Sequence, residues 1–457
     1  MTYRHPLRAA SFVLAVALAQ GVAFGQSSDT TPTVEQLLQE ARDLRKKNRA
    51  DESIQVCFRI LGMDRANADA LEELRKSVRH ALQAQRHRDP SFHARLLAMS
   101  QSDLIALYAE VLTKVQAQYV DLDKAATSRL FRQGLDEYLA ALSDSSFTER
   151  HLKGVDEGTV SRFRVNLQKA WASREVASIR QAVEMAVEIG AASKRQFGFR
   201  TLNPVICEFI CGACNSLDEY SAYLSAGQYL ADSSASAQMS VHVRMEDGGV
   251  AYLQITHFQP STPQEVENAL KNLAMMGMTR ALVLDLRGNT GGLLPAAVKT
   301  AEKFLSSGII VSAQGQHDDA NKVYTSTAGA SASTLPMVVL VDNETASAAE
   351  VLAVALRDNN RAKLIGTATF GKGSVQKVVA FTTAEEIDPE TGKVRPRAAI
   401  RITTARLFAP SGTPITGVGV TPDHLIPNRD RQLEVSFDIA RELARRNTMS
   451  MMAMMRE

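Results

Sequence analysis

The spacing of apolar residues changes once along the chain, near residue 238. Over residues 33–90 and 100–236, apolar side chains recur every three or four positions, the period of an α-helix that buries one face. Over residues 238–427, short runs rich in β-branched residues alternate with helical segments. The pattern predicts an all-helical N-terminal region, an α/β core and, over residues 428–457, a C-terminal helix with a methionine-rich tail.

The first helical segment, residues 33–90, reads as a helical hairpin followed by a third helix. The apolar stripes of the hairpin consist of Leu37, Leu38, Ala41, Leu44, Ile54, Val56, Ile60 and Leu61. The segment is similar to a tetratricopeptide helix pair, although at most one and a half repeats are present and about three are usually needed for an independent array. Two interpretations therefore stay open: a plain helical scaffold, and a surface for self-association or for an adaptor.

The N-terminal 25 residues have the organisation of a secretory signal. Two arginines precede an apolar centre over Ala9–Ala19, and small residues end the segment. The apolar part is shorter than the roughly 20 residues that span a bilayer. We therefore predict a cleaved signal at residues 1–25, an exported protein that is periplasmic or extracytoplasmic, and at most a peripheral association with membranes. An uncleaved N-terminal anchor is the alternative.

The charge of the chain is balanced. Its 52 lysines and arginines face 50 aspartates and glutamates, so the protein has no strong overall field. Nothing in this balance indicates a nucleic-acid partner.

Three of the four cysteines, Cys207, Cys211 and Cys214, follow one another as Cys-x-x-x-Cys-x-x-Cys. Such spacing occurs in iron–sulfur and zinc sites, but on a helix the three positions share one face, and their neighbours are apolar. We interpret them as small buried residues and predict neither a metal nor a cofactor. A disulfide with the distant Cys57 stays open.

The core contains a serine at a predicted junction between a strand and a helix. Pro336–Val341 reads as a buried strand and Ala346–Arg357 as a helix, which places Ser347 at the mouth of that helix. The unpaired N–H groups and the positive dipole end of a helix start are suited to hold an oxyanion. The alternative is that Ser347 and Glu350 form a capping box and only close the helix start. A Gly-x-Ser-x-Gly elbow is absent.

A lysine follows in a glycine-flanked turn, Gly371-Lys372-Gly373, with no histidine between Ser347 and Lys372. This pair suggests a hydroxyl nucleophile activated by an amine, which must be neutral; lowering a lysine pKa from about 10.4 to near 7.4 costs about 4 kcal/mol. Gln376 lies four positions on, and in a strand this even offset places it on the same face as Lys372, where it can orient the amine. The alternative is a solvated hairpin tip.

Three sequence blocks together resemble the signature blocks of the C-terminal processing proteases, a family of serine–lysine endopeptidases. The blocks are Asp285–Gly292, Thr345–Glu350 and Phe370–Gln376, in the order and spacing of the family. The resemblance implies that Ser347 is the nucleophile, Lys372 the base and Gln376 the residue that orients the lysine. Asp285 and Arg287 also allow a simpler interpretation, as a structural pair at the exit of a buried strand.

The resemblance further implies an oxyanion hole and a fold. The hole would consist of the backbone N–H of Ala348 and of one glycine of the Gly291–Gly292 pair. The core would be the ββα spiral shared with the crotonase and Clp protease folds, and the substrate would be a protein or peptide. The alternative is a catalytically inactive ligand- or protein-binding module, since the same fold occurs in retinoid-binding repeats.

The chain departs from the family ahead of the core. In most members a PDZ domain follows the helical region, binds the C-terminus of the substrate and gates the site. Here Ser225–Met239, about 15 residues, separates the turn at Leu217–Leu224 from the first core strand, and a domain needs at least about 40. We therefore expect a variant without a PDZ domain, in which C-terminal recognition and gating differ from those of the family.

Overall fold

The computed structural model describes residues 32–454 except 65–66, 172–173, 234–237, 330–331, 388–391 and 393. Contacts within the chain divide these residues into two compact units. The first unit contains the described residues up to 233 together with Gln376–Thr404, and the second contains the remainder. The segment 376–404 therefore belongs to the helical unit by its contacts, whereas the sequence pattern groups it with the core.

Two of the sequence predictions concern the ends of the chain. The signal predicted at residues 1–25 lies outside the described residues. At the other end, the last helix runs to Met454, and the final three residues of the methionine-rich tail are also outside. Within the described part of the chain, no helix is both long enough and apolar enough to cross a membrane.

The first unit is built mainly from helices, and some of them begin or end at recognisable caps. A capping box between Thr33 and Gln36 starts the first helix, and the left-handed Gly198 ends the eighth. The helices are α1 (Val34–Lys46), α2 (Ala50–Met63), α3 (Ala68–Arg88), α4 (Gln101–Gln118), α5 (Thr127–Ala141), α6 (Ser145–His151), α7 (Glu157–Trp171), α8 (Ile179–Phe197), α9 (Asn203–Asn215) and α10 (Ala226–Ser233), with a π-helix at Phe92–Leu97 between α3 and α4.

Helix α9 lies at the centre of this unit, with every one of its residues buried. Gly212 allows it to approach α5 closely, because a Cβ at that position would lie 2.6 Å from the Gln133 carbonyl oxygen. Cys207, Cys211 and Cys214 are buried and unpaired, as the interpretation of small core residues predicts. Cys57 is also a free, buried thiol, so no disulfide joins it to α9.

Strands enter the first unit at two places. The short strand β1 (Ala222–Ser225) interrupts the predicted helical region because it pairs antiparallel with Ala398–Arg401. The segment 376–404 is held against α4, where the Glu110 carboxylate accepts hydrogen bonds from the backbone N–H groups of Thr382 and Thr383. The strands of this segment are β9 (Ser374–Ala380), β10 (Glu385–Ile387), β11 (Val394–Pro396) and β12 (Ala398–Phe408), of which β9 and β12 continue into the second unit.

The second unit is organised around a six-stranded sheet in the order β13-β8-β7-β4-β3-β2. The sheet is parallel except for the edge strand β2, which pairs antiparallel with β3. Its strands are β2 (Val241–Glu246), β3 (Val250–Ile255), β4 (Ala281–Asp285), β7 (Met337–Val341), β8 (Lys363–Gly366) and β13 (His424–Leu425). A smaller antiparallel pair, β5 (Gly308–Gly315) and β6 (Lys322–Ser326), adds the end of β12.

Helices cover both faces of the six-stranded sheet. Leu284 and Val339 face a core formed with α11 (Thr262–Met275), α12 (Leu294–Ala301) and α13 (Ala348–Asp358). Val283 and Leu340 face the long helix α14 (Arg429–Met454). Burial on both faces explains why β4 and β7 are uninterrupted apolar runs. The mixed α/β core preceded by a helical region is confirmed, whereas the ββα spiral and the tetratricopeptide likeness stay predictions.

Candidate active site

Two loops lie side by side where the parallel strands β4 and β7 end. The glycine loop, Leu286–Leu293, follows β4, and the serine loop, Asp342–Ser347, follows β7. The Ala346 N–H donates to the Asn289 carbonyl oxygen at 2.9 Å and joins the two loops. The fold thus brings together two of the three sequence blocks at the carboxyl edge of the sheet, which is where open α/β sheets place their ligands.

A third segment, the lysine loop (Thr367–Gly373), contacts the serine loop. The Phe370 N–H donates to the Thr345 carbonyl oxygen at 2.9 Å. From the other side, the Gly417 N–H donates to the Gly371 carbonyl oxygen at 2.8 Å. Residues from all three blocks therefore meet at the serine loop.

Ser347 has a backbone conformation that serine rarely adopts, with φ +57° and ψ −118°. Among the residues that the structure describes, the other non-glycine residues with positive φ are Asn48 and Asn360, and asparagine tolerates this region best. A serine that only caps a helix has an extended backbone, as Ser100 does at φ −60° and ψ 148°. Capping alone therefore does not require this conformation, which stores about 1–3 kcal/mol and is concentrated at functional sites.

Ser347 and Glu350 also form the capping box that the alternative interpretation predicts. The bond from the Ser347 N–H to the Glu350 carboxylate measures 2.8 Å. The opposite bond, from the Glu350 N–H to the serine hydroxyl, falls short of strict hydrogen-bond geometry. The two interpretations of Ser347 are thus compatible, because the backbone of the serine supplies the firm cap and leaves its hydroxyl less constrained.

Glu350 holds the serine loop and the lysine loop together. Its Oε2 accepts from the Ser347 N–H at 2.8 Å and from the Lys372 N–H at 2.9 Å. Because one oxygen accepts both bonds, the two backbone nitrogens lie within about 6 Å of each other. Its Oε1 accepts from the Gly371 N–H at 2.7 Å and from the Thr369 hydroxyl.

The protonation of Glu350 reflects two opposing effects. Complete burial raises the pKa of Glu350, whereas the hydrogen bonds from Thr369 and from the backbone N–H groups of Ser347, Gly371 and Lys372 lower it. The balance leaves the pKa of Glu350 above its ordinary value. All of these groups donate hydrogen bonds to the carboxylate oxygens. Glu350 therefore holds the two loops together as a hydrogen-bond acceptor.

Lys372 lies half-buried between two buried glycines. Gly371 has φ +96°, which favours glycine, and a Cβ on Gly373 would lie 2.7 Å from the Ile415 Cβ. The glycine-flanked turn that the sequence predicts is therefore required by close packing against residues 415–419.

Gln376 does not share a strand with Lys372. Strand β9 begins at Ser374, so Lys372 lies in the turn before it, and the expected even offset along one strand does not apply. The reason is that the glycine turn includes Lys372 and ends at Gly373, so the strand starts only after the lysine. The Gln376 amide donates to the Thr403 hydroxyl at 3.3 Å, within the first unit.

The glycine loop packs directly against the serine. Gly291 has φ +103°, and a Cβ there would lie 2.8 Å from the Ser347 Cβ and 3.1 Å from the Ala348 nitrogen. The Gly291 N–H is already engaged, because it donates to the Asn289 Oδ1 at 2.9 Å. The sequence leaves open whether Gly291 or Gly292 supplies the oxyanion N–H. The Gly291 N–H is used inside the loop, whereas Gly292 is exposed.

Asn289 fixes the glycine loop from inside. The side chain is fully buried, and its Nδ2 donates to the Ile255 carbonyl oxygen at 2.8 Å while its Oδ1 accepts from Gly291. Its own carbonyl oxygen accepts the Ala346 N–H. One residue therefore ties the glycine loop to the end of β3 and to the serine loop.

Asp342 fixes the serine loop in a similar way. Its Oδ1 accepts from the backbone N–H groups of Thr345 and of Gly288 in the glycine loop, both at 3.0 Å. The Thr345 hydroxyl accepts from the Asp342 N–H and donates to the Leu286 carbonyl oxygen at 2.9 Å. Both loops thus share the Asp342 carboxylate.

Asp285 and Arg287 form the structural pair that the sequence allows. The Arg287 Nη2 lies 2.7 Å from the Asp285 Oδ2, and both side chains are buried. The same oxygen accepts from the Tyr252 hydroxyl at 2.7 Å. Burial and the neighbouring Asp285 raise the pKa of Tyr252 to about 12, so the phenol stays a donor.

Sequence reasoning gave Asn289 and Asp342 no role, and treated Glu350 only as a cap. A signal was available for Asp342, since a carboxylate directly after a buried strand lies at the ligand edge of an α/β sheet. No local signal links Glu350 to the lysine loop, because that contact is purely tertiary. Within the described residues, no three histidine, cysteine or acidic side chains converge in a way that would hold a metal ion.

The region that contains this candidate site is similar to known peptidases. Residues 249–426 match the family model described as peptidase family S41. The chain is 37% identical over 190 residues to the carboxy-terminal-processing protease of Bartonella bacilliformis, covering 41% of each chain. It is 33% identical over 183 residues to the carboxy-terminal processing protease CtpA of Bacillus subtilis, covering 40% of this chain and 36% of the relative.

The resemblance of the three blocks is thereby confirmed for the core: residues 249–426 match peptidase family S41, and the similar proteins are named carboxy-terminal processing proteases. The matches span less than half of the length of these relatives. Among solved structures, the photosystem II D1 C-terminal processing protease aligns with a TM-score of 0.40 and 19% identity, covering 71% of this chain and 93% of that one.

Proposed function

We propose that the chain is an exported serine endopeptidase that cleaves protein or peptide substrates with Ser347 and Lys372. The observation that carries the proposal is the strained conformation of Ser347, φ +57°, beside a carboxylate that accepts from both the Ser347 and the Lys372 backbone. A helix cap needs neither the strain nor the second loop. Family membership of residues 249–426 supports the same chemistry.

The proposed reaction begins with a neutral Lys372. Its amine accepts the proton of the Ser347 hydroxyl while the oxygen forms a bond to the peptide carbonyl carbon. The resulting oxyanion accepts hydrogen bonds from the N–H groups of Ala348 and Gly292, at the positive end of α13. We favour Gly292 over Gly291 because the Gly291 N–H donates to Asn289.

Collapse of the intermediate breaks the carbon–nitrogen bond. The Lys372 ammonium returns its proton to the leaving amine, and water then attacks the acyl-serine ester with the same lysine as base. The water cleaves the ester, which releases the acid product and restores the serine hydroxyl. In this scheme Gln376 orients the lysine, as the family resemblance implies, and the reaction requires no metal or cofactor.

Export and the lack of a PDZ domain are parts of the same proposal. Support for export comes from the signal-like residues 1–25, and support for a PDZ-less variant from the short connection over residues 225–239. We infer that such an enzyme selects substrates without a dedicated C-terminus-binding domain. The N-terminal helices remain the proposed site of self-association or of an adaptor.

The test is cleavage of fluorescein-labelled casein by the parent and by Ser347→Ala and Lys372→Ala. We expect turnover by the parent and its loss in both variants. Matched controls are Ser100→Ala, which removes an ordinary helix-cap serine, and Lys299→Ala, which removes an exposed lysine. Equal activity of all five proteins, or none in the parent, would favour the inactive binding module instead.

A further inference from the structure

The first turn of α14 contacts the glycine loop through Arg287. The Arg287 Nη1 donates to the Arg429 carbonyl oxygen at 2.9 Å and to the Gln432 Oε1 at 3.3 Å. The other side of the guanidinium binds Asp285 at the end of β4. Arg287 therefore bridges the strand that leads into the glycine loop and the helix that begins the C-terminal segment.

Gln432 is oriented for this contact. Its side chain is 2% exposed, and its Nε2 donates to the Ile426 carbonyl oxygen at 2.8 Å. With the amide nitrogen committed to Ile426, the amide oxygen faces Arg287. Burying a glutamine is unfavourable unless both ends are hydrogen-bonded, and here both ends are.

A second contact joins the same helical turn to the serine loop. The Arg429 Nη1 lies 3.4 Å from the Asp342 Oδ2. The other oxygen of Asp342 accepts the N–H groups of Gly288 and Thr345. Through Arg287 and Asp342, the first turn of α14 thus reaches both loops that surround Ser347.

Packing alone does not account for these contacts. Further along α14, Phe437, Ala440 and Ala444 bury the apolar face of the helix against β3, β4 and β7. That apolar face attaches the helix to the sheet. The polar first turn adds specific hydrogen bonds at the end of the sheet where the active site lies.

We propose that Gln432 and Arg429 are positioning residues of the active site, which hold Arg287 and Asp342 and thereby fix the glycine loop beside Ser347. The inference depends on the proposed peptidase function. An oxyanion donor acts only when the loop that carries it has the correct position, so loosening this support reduces the rate of acylation more than substrate binding.

The experiment compares Gln432→Leu, Gln432→Glu and Arg429→Ala with the parent. Gln432→Glu keeps an acceptor for Arg287, and Arg429→Ala changes a side chain that is 62% exposed, so it should fold normally. Arg431→Ala is the matched control, an exposed arginine in the same helical turn. For each protein we would measure the rate at which a fluorophosphonate phosphonylates Ser347, kcat and KM on labelled casein, and the thermal midpoint.

We expect Gln432→Leu to lower kcat and the phosphonylation rate about tenfold, with KM changed less than about twofold. Gln432→Glu should recover part of this loss. Arg429→Ala should lose about threefold in kcat and, because its partly exposed ion pair is screened by salt, should show a weaker salt dependence than the parent. Arg431→Ala should match the parent.

The inference is overturned if Gln432→Leu and Arg429→Ala are phosphonylated at the rate of the parent and keep its kcat. It is also overturned if the rate falls only in proportion to the unfolded fraction, since the role would then be purely structural. A parent that neither reacts with the fluorophosphonate nor cleaves casein would instead overturn the proposed function, and the inference with it.

Discussion

The backbone N–H groups of Ser347 and Lys372 donate to the same carboxylate oxygen, the Oε2 of Glu350, at 2.8 and 2.9 Å. The two residues are separated along the chain by helix α13 and strand β8. Glu350 is completely buried, so no water replaces it as the acceptor for either group. A capping residue that is recognisable in the sequence thus also determines where the lysine turn lies.

Glu350→Gln tests this double role. The substitution replaces one carboxylate oxygen by an NH₂ group, which cannot accept hydrogen bonds. Each oxygen of Glu350 now accepts two bonds, so at least one buried donor loses its acceptor. We expect about 1–3 kcal/mol of lost stability and a fall in kcat of about 100-fold. Chemical denaturation and casein cleavage measure the two effects.

The control for Glu350→Gln is Glu442→Gln, an exposed change on α14. It should leave both stability and kcat unchanged. A Glu350→Gln protein with parental kcat would show that the position of the lysine loop does not depend on this carboxylate.

Asn289→Asp tests the support inside the glycine loop. The substitution preserves shape but replaces the Nδ2 donor by an anionic oxygen that would face the Ile255 carbonyl oxygen, now 2.8 Å from Nδ2. Repulsion should displace the loop and place negative charge near the oxyanion, so kcat should fall by about 100-fold or more. Steady-state kinetics measure it, with the exposed Asn272→Asp as control. An unchanged kcat would contradict the proposed place of the oxyanion hole.

Gly291→Ala tests the close approach of the glycine loop to the serine. A methyl group there would lie 2.8 Å from the Ser347 Cβ, on a residue with φ +103°. We expect activity to fall below detection, because the serine and the oxyanion donors cannot both keep their places.

Gly412→Ala separates backbone strain from this steric effect. Gly412 has φ +83°, but a Cβ there would meet nothing within 4 Å. It should lose about 1 kcal/mol of stability and keep its activity. The comparison is made by casein cleavage and thermal unfolding, and equal activity of Gly291→Ala and Gly412→Ala would contradict the packing described.

Glu110 gives the helical unit a predictable response to acid. Partial burial alone would raise its pKa, but hydrogen bonds from Lys114, Thr383 and Thr382 lower the pKa of Glu110 to about 2, from an ordinary value of 4.5. A carboxyl whose pKa is lower in the folded state stabilises that state above its unfolded pKa, and this contribution is lost as pH falls from about 4.5 to about 2.

Glu110→Gln should therefore be less stable than the parent at pH 7, by about 1–2 kcal/mol, and the difference should shrink below pH 4.5. Urea denaturation at several pH values measures it. A stability difference that stays constant from pH 7 to pH 3 would mean that the charge of Glu110 does not hold residues 382–383 against α4.

How far the sequence predicts this molecule depends on whether a feature is local. The strand before Ser347 and the helix after it follow from apolar spacing, and the glycine turn around Lys372 follows from composition, because each depends on neighbouring residues. The conformation of Ser347 is not local: its positive φ is maintained by the glycine loop and by Glu350, which contact it through the fold.

The placement of Gln376 shows the same limit. The two-residue repeat of a strand places Gln376 and Lys372 on one face only if both residues lie in the same strand. Gly373 packs closely against Ile415, and the strand begins after it, at Ser374. The assignment of residues 376–404 to the helical unit likewise depends on tertiary contacts such as those of Glu110. Neither feature leaves a periodic signal in the sequence.

The proposed function requires Ser347 to be a nucleophile whose reactivity depends on Lys372. Mass-spectrometric mapping of a fluorophosphonate adduct on the folded protein tests it most directly. We expect an adduct on Ser347 in the parent and in Lys299→Ala, and none in Lys372→Ala at the same exposure time. An adduct on another residue, no adduct in the parent, or parental labelling of Lys372→Ala would contradict it.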